Sequence, residues 1–264
     1  RQGLLTAEHL AIPWGLRRYG GSASDALASF GVLHGMVYPL IFFPSSVLGA
    51  FSSLLVPEFA RAHERGEAER IRSVAARVMR TSLLFSVGVS GLFLSFAYEI
   101  GTGVYPGTAA AAHIAVLAPL IPVMYLDSSV DSILKGLGEQ LYCMKVNIAD
   151  SALCLALVAL LLPRFGLRGY FWVQYACELF NASLSICRLL SVTGLRPDVF
   201  RWVFKPTLAV ILATSAVRFL SAYAAVPLLG AGGSPSARIA AAAVLYLLLA
   251  AALGAIGRDD VRWA

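Results

Sequence analysis

Between Leu117 and Asn181 three long apolar segments follow one another, joined only by KGLGEQ and PRFGLRGY, and they enclose four acids: Asp127, Asp131, Asp150 and Glu178. Segments of this kind leave few folds open. A run of about 20 apolar residues is the length of a membrane crossing. Inside lipid, only helices and closed barrels satisfy every backbone polar group. The runs are continuous and do not alternate with period two, so helices are expected. Acids within them are costly to bury and mark either a water-filled pathway or interhelical polar contacts.

The remainder of the chain has the same character. Of 264 residues, 58% are hydrophobic and 14% charged, where a soluble domain carries about a quarter charged residues. The pattern predicts an all-α polytopic membrane protein, a helical bundle forming a single transmembrane domain over residues 1–264. About seven spans are expected, near 26–62, 81–101, 111–134, 142–162, 168–190, 201–223 and 237–256. They follow a helix remnant over residues 1–12 that Pro13 and WGLRRYGGSAS should end. Residue 1 is Arg, and the opening RQGLLTAEHLAIP reads as the end of a helix whose start is missing. Within 26–62, Pro39, Pro44 and Pro57 predict a kink or break near PLIFFP. The stretch RAHERGEAERIRSVAARVMR, residues 61–80, reads first as a solvated loop face and second as a short interfacial helix or a helical extension into the membrane.

The net charge of +6 does not point to nucleic acid, because no basic block is interleaved with exposed aromatics. It follows membrane topology. With seven spans, fourteen Lys and Arg fall on one side and five on the other, which places the first set, and the C-terminus, in the cytoplasm. Arg218 lies inside a span near its outer end, where it can snorkel. Cys143, Cys154, Cys177 and Cys187 form no CxxC pair, and no His lies beside them in sequence. They read as small buried apolar residues, with no metal or disulfide implied.

Helical spacing groups the polar residues. Tyr170, Gln174, Glu178, Asn181, Ser185 and Arg188 recur every three or four residues and form one polar stripe. Asp127, Asp131 and Lys135, flanked by Ser128 and Ser132, form a second. Asn147, Asp150 and Ser151 form a third. Asp127, Asp150 and Glu178 fall at similar expected depth, about 10–15 Å from the cytoplasmic side at 1.5 Å per residue. Asp127, Asp131, Asn147, Asp150, Gln174, Glu178 and Asn181 are therefore the candidates for a cavity or ion-coupling site. Arg17 and Arg18 are candidates for attracting phosphate, or simple interfacial anchors. His34 and His113 read as packing or interface residues. No HExxH, P-loop, GxSxG or dinucleotide fingerprint is present, so no catalytic residue, metal or cofactor is assigned. Asp127 with Asp131 is the one pair that an integral membrane transferase would use.

Several phrases resemble the polysaccharide flippases of the multidrug/oligosaccharidyl-lipid/polysaccharide exporter superfamily, most of all the stage V sporulation protein B branch. They are the IPWGL phrase, GVLHGMVYPLIFFP, and LVPE before a charged turn. In the expected order follow APLIPVMYLDSSVDSILKGLGEQ, NIADS, LLPRFGLRGY and ELFNASLS. The resemblance covers about residues 4 to 195. It implies one lobe, the C-terminal one, of a two-lobed, MATE-like transporter of the bacterial cytoplasmic membrane, whose other lobe would be the partner missing here. It implies movement of a lipid-linked saccharide for cell wall or spore cortex. A cation-coupled MATE-type drug exporter is the alternative, because acids suit cations better than pyrophosphate. A membrane transferase and a non-transporting half-protein are further alternatives.

Overall fold

In the computed structural model, residues 11–19, 23–223 and 234–255 are described, and among them every regular element is helical. The first helix, α1, covers residues 11–18. It corrects the expectation that Pro13 ends it: the helix continues to Arg18, since the missing donor and the ring clash of a proline act on the turn before it, and its fixed φ is compatible with helix after it. Residues 1–10, which carry most of the expected remnant, lie outside the described residues.

The first expected span is α2 (Ala23–Val32), a π-helical turn (Leu33–Val37), α3 (Tyr38–Phe42) and α4 (Ser45–Glu64). Proline clashes with the carbonyl four residues earlier, here that of Gly35, and a widened turn is one relief for that clash. At Phe43–Pro44 the helix breaks and bends by 57°. The hydroxyls of Ser45 and Ser46 donate to the carbonyls of Phe42 and Phe43, each at 2.7 Å, so the break leaves these acceptors satisfied. The expected break near PLIFFP is found, while Pro57 stays inside α4.

The charged stretch 61–80 corrects the loop expectation. Apart from a turn around residues 65–67 it is helical, continuing into α5 (Ala68–Ser95). Arg70 reaches Glu58 at 3.1 Å and Glu67 at 3.4 Å, and Arg72 reaches Glu69 at 2.9 Å. Oppositely charged neighbours at helical spacing favour helix over loop. After a break at Phe96 come α6 (Ala97–Val104), the YPGT turn and α7 (Ala110–Leu117). A short 3₁₀ turn leads into α8 (Ile121–Gly136).

The longest helix, α9 (Gln140–Thr193), spans 54 residues but doubles back. Gly166 has φ 56° and ψ −136°, a backbone state that only glycine adopts without strain. The reversal is proved by contacts between residues far apart in sequence. Arg188 grips Glu139 with Nε at 3.2 Å and Nη2 at 2.7 Å, and the Tyr142 hydroxyl donates to the Leu184 carbonyl at 3.3 Å. The two arms, about 25 residues or 38 Å each, correspond to the fourth and fifth expected spans. Then follow α10 (Lys205–Tyr223) and α11 (Pro235–Ala252). Among the described residues, five helices are long and apolar enough to cross a membrane, six with the bent pair. The chain is thus an all-α polytopic membrane protein.

The chain divides into two compact units, Arg1–Ala75 with Val123–Leu195, and Ala76–Pro122 with Arg196–Ala264. In the first, Tyr125 donates its hydroxyl to the Ile41 carbonyl, and Gly136 lies close enough to Val56 and Phe59 that a side chain would not fit. In the second, Ala209, Ala213, Ala242 and Ala250 are fully buried and let α10 and α11 approach closely. Small residues are the usual means of helix contact in lipid, where apolar burial alone gives no preference for a helix partner.

Candidate functional site

Within the first unit, a cavity of about 310 Å³ lies among α8, the two arms of α9 and the end of α3. Each wall follows helical periodicity. Met124, Asp127, Ser128 and Asp131 come from α8. Asn147, Asp150, Ser151 and Cys154 come from the first arm of α9, and Gln174, Cys177, Glu178 and Asn181 from the second. Each set occupies positions i, i+3, i+4 and i+7, one face of a helix. Phe42 completes the lining at the proline break. All seven cavity candidates, Asp127, Asp131, Asn147, Asp150, Gln174, Glu178 and Asn181, therefore meet in one place. The Gly166 reversal brings the Asn147-to-Ser151 stripe face to face with the stripe that runs from Tyr170 to Arg188.

Several side chains around the cavity are held by their own helices. Asn147 Nδ2 donates to the Cys143 carbonyl at 2.7 Å, and Ser151 Oγ donates to the Asn147 carbonyl at 2.9 Å. Gln174 Nε2 approaches Glu178 Oε1 at 3.4 Å. Asp131 pairs with Lys135 at 2.8 Å. Asp127 differs. The buried Ser185 faces its carboxylate, yet its Oδ1 is shielded and has no hydrogen-bond partner. Asp127 and Asp150 are the acids that bear electrostatically on Glu178. A shielded carboxylate oxygen without a donor is expensive, and a ligand that brings donors would relieve it.

Among the described lining residues there are four carboxylates, three side-chain amides and two serines, and no Lys, Arg or His. Such a surface accepts hydrogen bonds. It suits hydroxyls, ammonium groups or cations and repels phosphate. Among the described residues, no three His, Cys, Asp or Glu are grouped so as to hold a metal ion.

The ends of the expected Tyr170-to-Arg188 stripe lie elsewhere. Arg188 is bound to Glu139 and stacks over the Tyr142 ring, 5.1 Å from its centroid. The buried Tyr170 hydroxyl meets His34 Nε2 at 3.0 Å and the Tyr38 hydroxyl at 3.4 Å. His34, a packing or interface residue by its sequence, lies in the π-helical turn and belongs to a polar aromatic cluster with Tyr38 and Tyr170. Its four-residue spacing from Tyr38 was the available signal, but a π turn shifts which residues share a face. Cys154 and Cys177 were read only as buried apolar residues. Their spacing from Asp150 and Gln174, at i+4 and i+3, would have placed them on the cavity walls. Arg17 and Arg18 do not line the cavity. Both are exposed, and Arg18 stacks over Trp14 at 5.4 Å, an anchoring contact.

The chain is 23% identical to the stage V sporulation protein B of Bacillus subtilis (strain 168) over 264 residues, covering 98% of this chain and 49% of that protein. It therefore spans about half the length of the curated relative it matches. No protein-family model matches it, and no solved structure matches it.

Proposed function

We propose that this chain forms one lobe of a flippase-type transporter that carries a lipid-linked saccharide across the bacterial cytoplasmic membrane, serving cell wall or spore cortex synthesis. The observation that carries the reading is the cavity itself: four acids and three amides gathered inside membrane-length helices. A saccharide crossing the bilayer must exchange water for other partners, and an unpaired hydroxyl costs several kcal/mol in an apolar medium. Carboxylates and amides supply those partners. The lipid tail stays in the bilayer while the head group occupies the cavity, and the lobe rocks against its partner lobe to expose the site to each side in turn. The sporulation protein similarity and the flippase-like phrases support the same reading. The pyrophosphate requires basic groups from outside this cavity, which the partner lobe would provide.

A second reading, cation-coupled export, is favoured by one specific observation: the described lining carries acids and no basic side chain. In that case the acids take up and release a proton whose gradient drives the cycle.

The test is an accessibility assay for lipid-linked precursors in cells that depend on the full-length protein. Removing the protein is expected to leave a precursor on the cytoplasmic face, and Asp127→Asn with Glu178→Gln is expected to do the same while the protein stays in the membrane. If no precursor changes sides, flipping is wrong. Loss of organic-cation efflux instead would establish the second reading. Retention of full function by Asp127→Asn with Asp131→Asn would eliminate both ion coupling and transferase chemistry at that pair.

A further inference from the structure

The second unit contains another cavity, of about 510 Å³, which the transport reading does not use. It lies where α5 ends, between α6, α7 and the last turns of α10. One wall is alanine from α6 and α7. The polar part is formed by Glu99, Arg218, Tyr98, Thr102 and Thr108. Two of these hydroxyls already donate to nearby carbonyls, Thr102 to Tyr98 and Thr108 to Tyr105, at 2.7 and 2.8 Å. They are left as acceptors. The ionic recognition therefore falls to Glu99 and Arg218.

These two charges are opposite and line one cavity, yet neither makes an ion pair within 4.0 Å among the described residues. Their depth can be read from the helices. Arg218 is in the last turn of the apolar segment Phe200–Ser221, and Glu99 follows the end of the segment Ala68–Ser95. The surrounding Leu94, Tyr98 and Phe219 are 51%, 72% and 65% exposed. Charged groups at the ends of two spans, beside an exposed tyrosine, lie at the level of lipid head groups. An anion alone would meet Glu99, and a cation alone would meet Arg218. A molecule that carries both charges a few ångströms apart satisfies both.

We propose that this cavity binds the phosphate-and-ammonium head group of a zwitterionic bilayer phospholipid. The phosphate bonds the Arg218 guanidinium, the ammonium bonds the Glu99 carboxylate, and the glycerol region lies along the alanine wall. The charge-assisted bonds at both ends select this head group over one with phosphate alone.

The test uses the full-length protein in detergent micelles containing equal mole fractions of phosphatidylethanolamine and phosphatidylglycerol, with retained lipid counted by native mass spectrometry. Wild type is expected to retain phosphatidylethanolamine about tenfold better. Glu99→Gln is expected to abolish that preference, Arg218→Gln to weaken both lipids, and Glu99→Lys to reverse the preference towards phosphatidylglycerol. Circular dichroism melting establishes that the variants fold; Glu99→Gln keeps the shape of the side chain it replaces, and Arg218→Gln shortens one that borders the open cavity. No preference in wild type, or an unaltered preference in Glu99→Gln and Glu99→Lys, would overturn the site. Soluble phosphoethanolamine separates the two sources of this chemistry. If it raises the melting temperature in lipid-free detergent as much as the lipid does, the ligand is not a bilayer lipid. If only the lipid does so, the membrane source stands.

Discussion

The buried hydroxyls of the second unit and the cavity acids of the first are handled in opposite ways. In the second, Ser86 donates to Leu83 and Thr214 to Val210 at 3.2 and 2.9 Å, Ser90 donates to Ala118 at 2.7 Å, and Tyr246 donates to Leu84 at 2.6 Å. Every one of these side chains ends on a backbone carbonyl, which leaves a tight apolar packing of alanine, valine and leucine around them. In the first unit, Asp127, Asp150 and Glu178 converge on a volume of about 310 Å³, and Asp127 Oδ1 has no hydrogen-bond partner. Polar groups closed on their own backbone serve the fold. Polar groups aimed into a shared space are poised for something that is not part of the chain.

Neutralising acids in the first unit tests this contrast most severely. Asp127→Asn with Glu178→Gln is expected to lower precursor translocation by about tenfold or more, the scale of one lost charge-assisted contact. The fold should not weaken, because two shielded charges are removed. All four cysteines belong to this unit, with Cys143, Cys154 and Cys177 buried and Cys187 exposed. Thiol labelling therefore reports on it directly: Cys187 should react at once in wild type and variant alike, and Cys143, buried and outside the cavity lining, should stay protected. Early labelling of Cys143 in the variant alone would show that the acids are structural.

The second unit should respond with the opposite sign. A Cβ at Gly101 would lie 2.5 Å from the Cα and 2.6 Å from the nitrogen of Ala111, and backbone atoms cannot turn aside. Gly101→Val is expected to destabilise by about 1–3 kcal/mol, read as a lower melting temperature. An unchanged melt would mean that α6 and α7 are not packed as described. A gentler version is Tyr246→Phe, which removes one donor and should cost about 0.5–1.5 kcal/mol, whereas Asp127→Asn under the same melt should cost nothing or stabilise. Equal losses in both would erase the distinction between the units. The smallest effect is expected at the rim of the hairpin. Glu139→Gln breaks the grip of Arg188, whose side chain is 38% exposed. The loss should fall below that of Tyr246→Phe and shrink further at 1 M salt, where exposed charges are screened.

Much of this was legible in the residues. The apolar runs require helices wherever they cross lipid, and i, i+3 and i+4 spacing alone groups the seven cavity candidates on helix faces. Periodicity shows which residues share a face because a helix is a local object. It is silent on which faces meet. The stripe from Tyr170 to Arg188 looked uniform, yet its ends serve a histidine–tyrosine cluster and an ion pair, and only its middle borders the cavity. Charge density misled at residues 61–80, where i,i+3 and longer pairs around Arg70 and Arg72 hold a helix that composition reads as a loop.

The residues alone dictate an all-helical membrane protein, with a break near PLIFFP and acids in its spans, since hydrophobicity, helical period and proline chemistry act within a few residues. Only the tertiary structure decided that three polar stripes enclose one cavity, and that Glu99 and Arg218, far apart in the chain, line another. Those outcomes depend on the reversal at Gly166 and on close helix contact at alanines and glycines. They bring together side chains whose separation along the chain carries no information about their distance in space.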